Sequence, residues 1–126
     1  SGSPATRFDR ASGPYQLVNG VTIAGDWAAL TTGTLANPID VTETRGGVGA
    51  ANRVFSDTNV DGSCRSCSSS ENNCEQWTSV DATTGNFGVA GATNSDWTSR
   101  NNSVNCSGWT DDESTHEYRL YCFQQP

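Results

Sequence analysis

The side chains able to do chemistry are few, and their spacing says more than their number. His116 is the one histidine, so a Ser-His-Asp triad would have to use it. It stands in Asp111-Asp112-Glu113-Ser114-Thr115-His116-Glu117, a polar run that reads as a solvated turn. Adjacent acids of this kind hydrate a turn or bind a cation, whereas glycoside hydrolysis needs an enclosed, separated pair. No phosphate-binding glycine loop follows a strand and opens a helix. Without a lysine anywhere, the chain cannot form a Schiff base through one. The expectation is a protein that is not an enzyme.

Asp57-Thr58-Asn59-Val60-Asp61-Gly62 places oxygen side chains at alternate positions before a glycine, like the first half of an EF-hand loop. The position that should carry a bidentate glutamate is Ser68, and no helical pattern flanks the run. An Asx-rich turn is the preferred reading. Calcium held by Asp57, Asn59 and Asp61 is the alternative, and calcium is the cofactor this leaves in play. Cys64-Arg65-Ser66-Cys67 lies in a serine- and asparagine-rich loop. Cys-x-x-Cys redox chemistry needs a helix N-terminus in a βαβ setting, which is missing. A local disulfide pinning the loop fits better. Zinc on Cys64, Cys67, Cys74 and either Cys106 or His116 is a weaker option, because no second paired knuckle exists.

The elements that must position these residues are mostly strands and turns. The final run, Tyr118-Arg119-Leu120-Tyr121-Cys122-Phe123, is the most apolar stretch. Tyr118, Leu120 and Cys122 would share one face of a strand, and Arg119, Tyr121 and Phe123 the other. Apolar on both faces, it reads as a central strand. Asn19-Gly20 between Tyr15–Val18 and Val21–Ala24 signals a type I′ hairpin. Asp26 reads as the N-cap of a short helical turn that points Trp27 and Leu30 inward. Ile39–Thr42 reads as a strand opened by Pro38. Trp77-Thr78, Trp97-Thr98 and Trp109-Thr110 look like short strands, each inserting a tryptophan. Gly85–Asn94 reads as a surface loop of the kind that binds ligands on a rigid scaffold.

Bulk properties bound the role. One domain of 126 residues can bury a core, and at 33% hydrophobic content a few large aromatics must carry it. The net charge is −7, and the seven arginines are scattered. Nucleic-acid binding needs a basic patch, so it is rejected. No apolar run approaches the roughly 20 residues that span a bilayer, so membrane insertion by this chain is not expected. Five cysteines in so short a chain suggest an oxidising compartment, extracellular or at the cell surface. Their odd number leaves one without an intrachain partner.

Five stretches, in order, resemble a family: Gly13-Pro14-Tyr15 with the Asn19-Gly20 hairpin and Trp27; Pro38-Ile39-Asp40-Val41-Thr42-Glu43; Asn59-x-Asp61-Gly62; Cys74-x-x-Trp77-Thr78-Ser79; and Arg119-Leu120-Tyr121-Cys122-Phe123. Together they resemble the bacterial endostatin-like outer-membrane and surface proteins. The resemblance implies an α+β domain, mostly β and loop-rich, of C-type-lectin-like (endostatin-like) fold. It would have a twisted antiparallel sheet and disulfides, and residues 1–126 would be a single domain. It also implies that Cys74 pairs with Cys106. Family members carry an N-terminal strand and helix with an early cysteine that pairs with the last strand. That segment is missing here, so the domain is expected to be incomplete at its N-terminus. Cys122 would then be a buried free thiol or bonded to a partner chain that supplies the missing element.

The function expected from this is non-catalytic recognition or adhesion at the cell surface, toward a glycan or a host or matrix protein. Loop residues Asn94, Asp96, Trp97, Trp109, Asp111 and Asp112 are the candidate ligand contacts. The family's calcium-dependent sugar motif is not intact; Trp109-Thr110-Asp111-Asp112 comes nearest. The alternative is a structural subunit of an extracellular fibre or pilus-like assembly, completed by a partner chain.

Overall fold

Local turn chemistry shapes the first third of the chain. The structure, a computed structural model, describes residues 3–10, 12–65, 74, 78, 85–104, 106 and 118–124. A single helical turn, α1 (Pro4–Arg7), opens it with Pro4 in its first turn. Strands β1 (Tyr15–Gln16) and β2 (Thr22–Ala24) form the expected antiparallel hairpin. The turn type differs from the expectation. Only Gly20 takes a positive φ, +88°, and Gly20 N–H donates to the Leu17 carbonyl at 2.8 Å. Leu17 N–H also reaches the Val21 carbonyl at 2.8 Å. The connection is therefore a three-residue loop with glycine at the left-handed bulge position, not a two-residue type I′ turn. Asp26 caps α2 (Trp27–Leu30) as expected: its Oδ1 accepts from Ala29 N–H at 2.7 Å, which satisfies one of the orphan donors of the first turn.

Between Pro38 and Gly49 the expected strand shrinks to one antiparallel bridge, Val41 to Gly47. The chain turns back too soon for more, with Thr42 N–H on the Gly46 carbonyl (2.8 Å) and Arg45 at φ 66°. The main sheet comes later. It comprises β3 (Arg53–Phe55), β4 (Gly85–Val89), β5 (Asn101–Val104) and β6 (Arg119–Leu120) in the order β5-β4-β3-β6. β4 runs antiparallel to both neighbours, while β6 runs parallel to β3. The sheet is thus mixed, which corrects the antiparallel expectation. Among the described residues β6 is also an edge strand, not a central one. The expected assignment of faces holds nonetheless. Tyr118 stacks on Phe55 (4.6 Å between centroids) on one side, while Tyr121 and Phe123 pack toward the larger core on the other.

Gly85–Asn94 was expected as an exposed loop, and its first half is instead β4, buried along its whole length. Gly88 explains why glycine stands in a central strand. A Cβ there would fall on the Trp97 carbonyl oxygen and lie 2.8 Å from Thr98 Cα. Trp97-Thr98, expected as strand, instead belongs to a 3-10 turn, Ser95–Trp97, capped by Asn94. That turn lies flat on β4 because nothing projects between the two backbones. Trp97 anchors the larger core with Ile23, Leu30 and Leu35. On the opposite face Arg53 lies 4.8 Å from the Phe87 ring centroid and donates to Tyr118 Oη at 2.9 Å. The cation is held by aromatic faces and one phenol.

Cys74 and Cys106 form a disulfide with both residues buried, 32 positions apart in sequence. Cys64 is disulfide-bonded as well, and its expected partner, Cys67, lies outside the described residues. Cys122 is free and exposed, which corrects the buried-thiol expectation. Among the described residues no helix is long and apolar enough to cross a membrane.

Two consequences are measurable. Gly88→Ala should destabilise the fold by about 3 kcal/mol or more, because backbone lies on both sides and cannot yield; urea unfolding reads this directly. Replacing Cys74 and Cys106 together by alanine should cost roughly 3–4 kcal/mol, as expected for a loop of this length. A shift in the denaturation midpoint no larger than that of a typical surface substitution would contradict it.

Candidate functional site

Among the described residues, aromatic rings gather where α1, α2, the 3-10 turn and the end of β6 converge. Phe8 meets Trp27 edge-on at 6.2 Å and Phe123 at 5.6 Å. Tyr121 links Phe123 (6.4 Å) to Trp97 (5.6 Å). These rings wall a cleft of about 400 Å³. Arg10 covers part of Trp27, its guanidinium carbon 5.8 Å from the ring centroid. Volume and lining suit a small-molecule-sized ligand, which binds mainly through apolar walls with a few fixed polar groups.

The polar wall comes from the chain just after β3. Ser56, Asp57, Thr58 and Asn59 line the cleft together with Thr98. Thr98 is buried, and its Oγ1 donates to the Thr58 carbonyl at 3.1 Å. Its one proton is then used, so Ser56 Oγ donates to Thr98 Oγ1 across 2.8 Å. Asp57 Oδ1 accepts from Asn86 Nδ2 at 2.6 Å. Cys64 Sγ lies 3.4 Å from Asp57 Oδ2, but a disulfide sulfur has no proton to donate. These bonds fix the polar groups before any ligand arrives.

The Asp57-Asn59-Asp61 run forms a tight turn closed by a Thr58–Cys64 bridge. Its three side chains are engaged separately: Asp57 with Asn86, Asn59 with Ser63 Oγ at 3.0 Å, and Asp61 with Ser63 N–H at 2.8 Å. The hydroxyl and backbone N–H of Ser63 hold the Asp61 carboxyl below its usual range. Among the described residues no three acidic, histidine or cysteine side chains gather to hold a metal. An Asx-type turn accounts for the geometry found.

The expected ligand contacts divide. Asn94 is exposed and caps the 3-10 turn through Asp96 N–H (3.0 Å), with Asp96 half-buried beside it. Trp97 is only 6% exposed, so it lines the cleft from within the core instead of projecting from a loop. Trp109, Asp111, Asp112 and His116 lie outside the described residues. Phe8, Trp27 and Tyr121 were missed as site residues. An aromatic next to a helical turn looks like core, and nothing local says which face stays open. Compared with known proteins, the chain matches no protein-family model, no curated protein and no solved structure.

Tyr121 Oη donates to the Trp97 carbonyl at 2.8 Å, and burial raises its phenol above the ordinary value of 10.0. The folded state therefore holds this proton more tightly than the unfolded chain. Stability from this source is complete below pH 10 and declines as pH rises above it. Tyr121→Phe should cost about 1 kcal/mol at neutral pH. The gap to the parent should narrow above pH 10, because the variant no longer has this proton to lose. Urea midpoints measured on both sides of pH 10 test the sign.

Proposed function

We propose that this protein is a non-catalytic recognition or adhesion domain of the extracellular space or cell surface. The observation carrying this reading is the cleft, which sets aromatic faces opposite prearranged hydroxyl, amide and carboxylate groups. Sugars offer a matching surface, with C–H faces that stack on rings and hydroxyls that need fixed polar partners. A glycan is therefore the ligand class proposed for it. Among the described residues Asp57 is the one carboxylate lining the cleft. The disulfides support an oxidising compartment.

The finer fold proposed is C-type-lectin-like. It is supported by the resemblance in sequence and by the Cys74–Cys106 bond that the resemblance implied. A second reading, a structural subunit completed by a partner chain, is favoured by a separate observation: the free thiol of Cys122 beside the edge strand.

A glycan array followed by titration calorimetry tests the first reading. A hit should be weakened at least about tenfold by Trp27→Ala, as for removal of a central aromatic contact. A thermal unfolding control shows that the variant still folds. If no oligosaccharide binds, or if Trp27→Ala leaves a folded variant with unchanged affinity, the cleft is not a glycan site.

A further inference from the structure

The aromatic cleft selects its ligand by what its walls have left to offer. Ser56, Thr98, Thr31 and Tyr121 line it, and a hydroxyl carries one proton. Each of these protons is committed inside the protein. Ser56 Oγ donates to Thr98 Oγ1, and Thr98 Oγ1 donates to the Thr58 carbonyl. Thr31 Oγ1 donates to the Trp27 carbonyl at 2.9 Å, and Tyr121 Oη to the Trp97 carbonyl. Asn59 turns its Nδ2 to Ser63 Oγ. Trp97 Nε1 has no acceptor among the described residues, but that atom is itself buried. What these groups keep for a ligand is mainly lone pairs. Asp57 adds a carboxylate, which has acceptor sites beyond the one that serves Asn86 Nδ2.

The apolar walls point the same way. The faces of Phe8, Trp27, Tyr121 and Phe123 carry the negative end of a quadrupole, which attracts a cation. Arg10 already lies over Trp27, so one of these rings holds a cation without any ligand present. A net charge of −7 draws cations toward the molecule. Arg7 is the one cation lining the cleft, and it is exposed, where water and salt screen its charge.

We propose that the cleft recognises a cationic amino sugar, a glycan unit whose protonated amine sits between the aromatic faces and the Asp57 carboxylate. This rests on the glycan reading above and narrows it. A protonated amine has three donors and no acceptor, which matches walls whose own hydroxyl protons are spent. The sugar hydroxyls donate to the Ser56 and Asn59 oxygens, and a C–H face of the sugar stacks on Trp27. An N-acetylated sugar loses the charge and brings a carbonyl that needs a donor. A sugar carboxylate or sulfate would meet Asp57 with like charge.

The test uses the whole chain and two probes of one backbone, a β-1,4-linked glucosamine tetrasaccharide and its fully N-acetylated counterpart. Titration calorimetry should show the glucosamine probe bound at least about tenfold tighter, the size of one desolvated cation contact. Asp57→Asn keeps the oxygen that Asn86 uses and removes the charge. It should erase most of that preference while changing the affinity for the acetylated probe by less than about twofold. Should that variant fail to fold, the pH profile decides. Binding of the glucosamine probe to the parent protein should weaken as pH rises through the range in which the amine loses its proton, and binding of the acetylated probe should not. Equal or tighter binding of the acetylated probe, or a flat pH profile for glucosamine, overturns the proposal. If neither probe binds but another oligosaccharide does, the proposal falls and the glycan reading stands. If no oligosaccharide binds, both fall.

Discussion

The close approach of β4 to the 3-10 turn at Gly88 is the constraint on which the other contacts depend. With no side chain between them, the Trp97 and Thr98 backbone lies directly on the sheet. Trp97 is thereby driven into the core, its carbonyl meets the Tyr121 phenol, and Thr98 reaches Ser56 and Thr58. One absent methyl group thus fixes the aromatic wall of the cleft and its polar wall together. The larger core and the cleft are two sides of the same packing decision.

What could be read from the sequence was what is decided locally. Asn19-Gly20 gave the hairpin because a left-handed residue is needed there whatever the rest of the chain does. Asp26 announced a helix start because its side chain serves an N–H three residues on. The two faces of the C-terminal run were also legible, since alternation survives at an edge as well as in a sheet centre. β4 was not. Gly85-Asn86-Phe87-Gly88-Val89 contains the residues that usually break strands, and only the distant Trp97 turn explains them. The cleft was illegible for the same reason. Its rings come from segments over a hundred positions apart, Phe8 and Phe123, and no local spacing brings them together.

The parallel pairing of β6 with β3 belongs to the same long-range geometry. A parallel neighbour cannot arrive by a hairpin, so no local turn signal announces the pairing. Both faces of the run find packing among the described residues. Tyr118 has Phe55 and Arg53 for company on one face, and Tyr121 has Trp97 on the other.

The Cys74–Cys106 bond has a topological consequence. It closes a covalent ring around β4, the 3-10 turn and β5. Arg100 is the one arginine inside that ring, and there is no lysine. A protease specific for basic residues can therefore open the ring at a single bond. The two ends so produced stay tethered through the cystine, and the nicked molecule gains only one water in mass until it is reduced. The segment carrying β5 and β6 thus stays covalently joined to the segment carrying β3 and β4 after that cut.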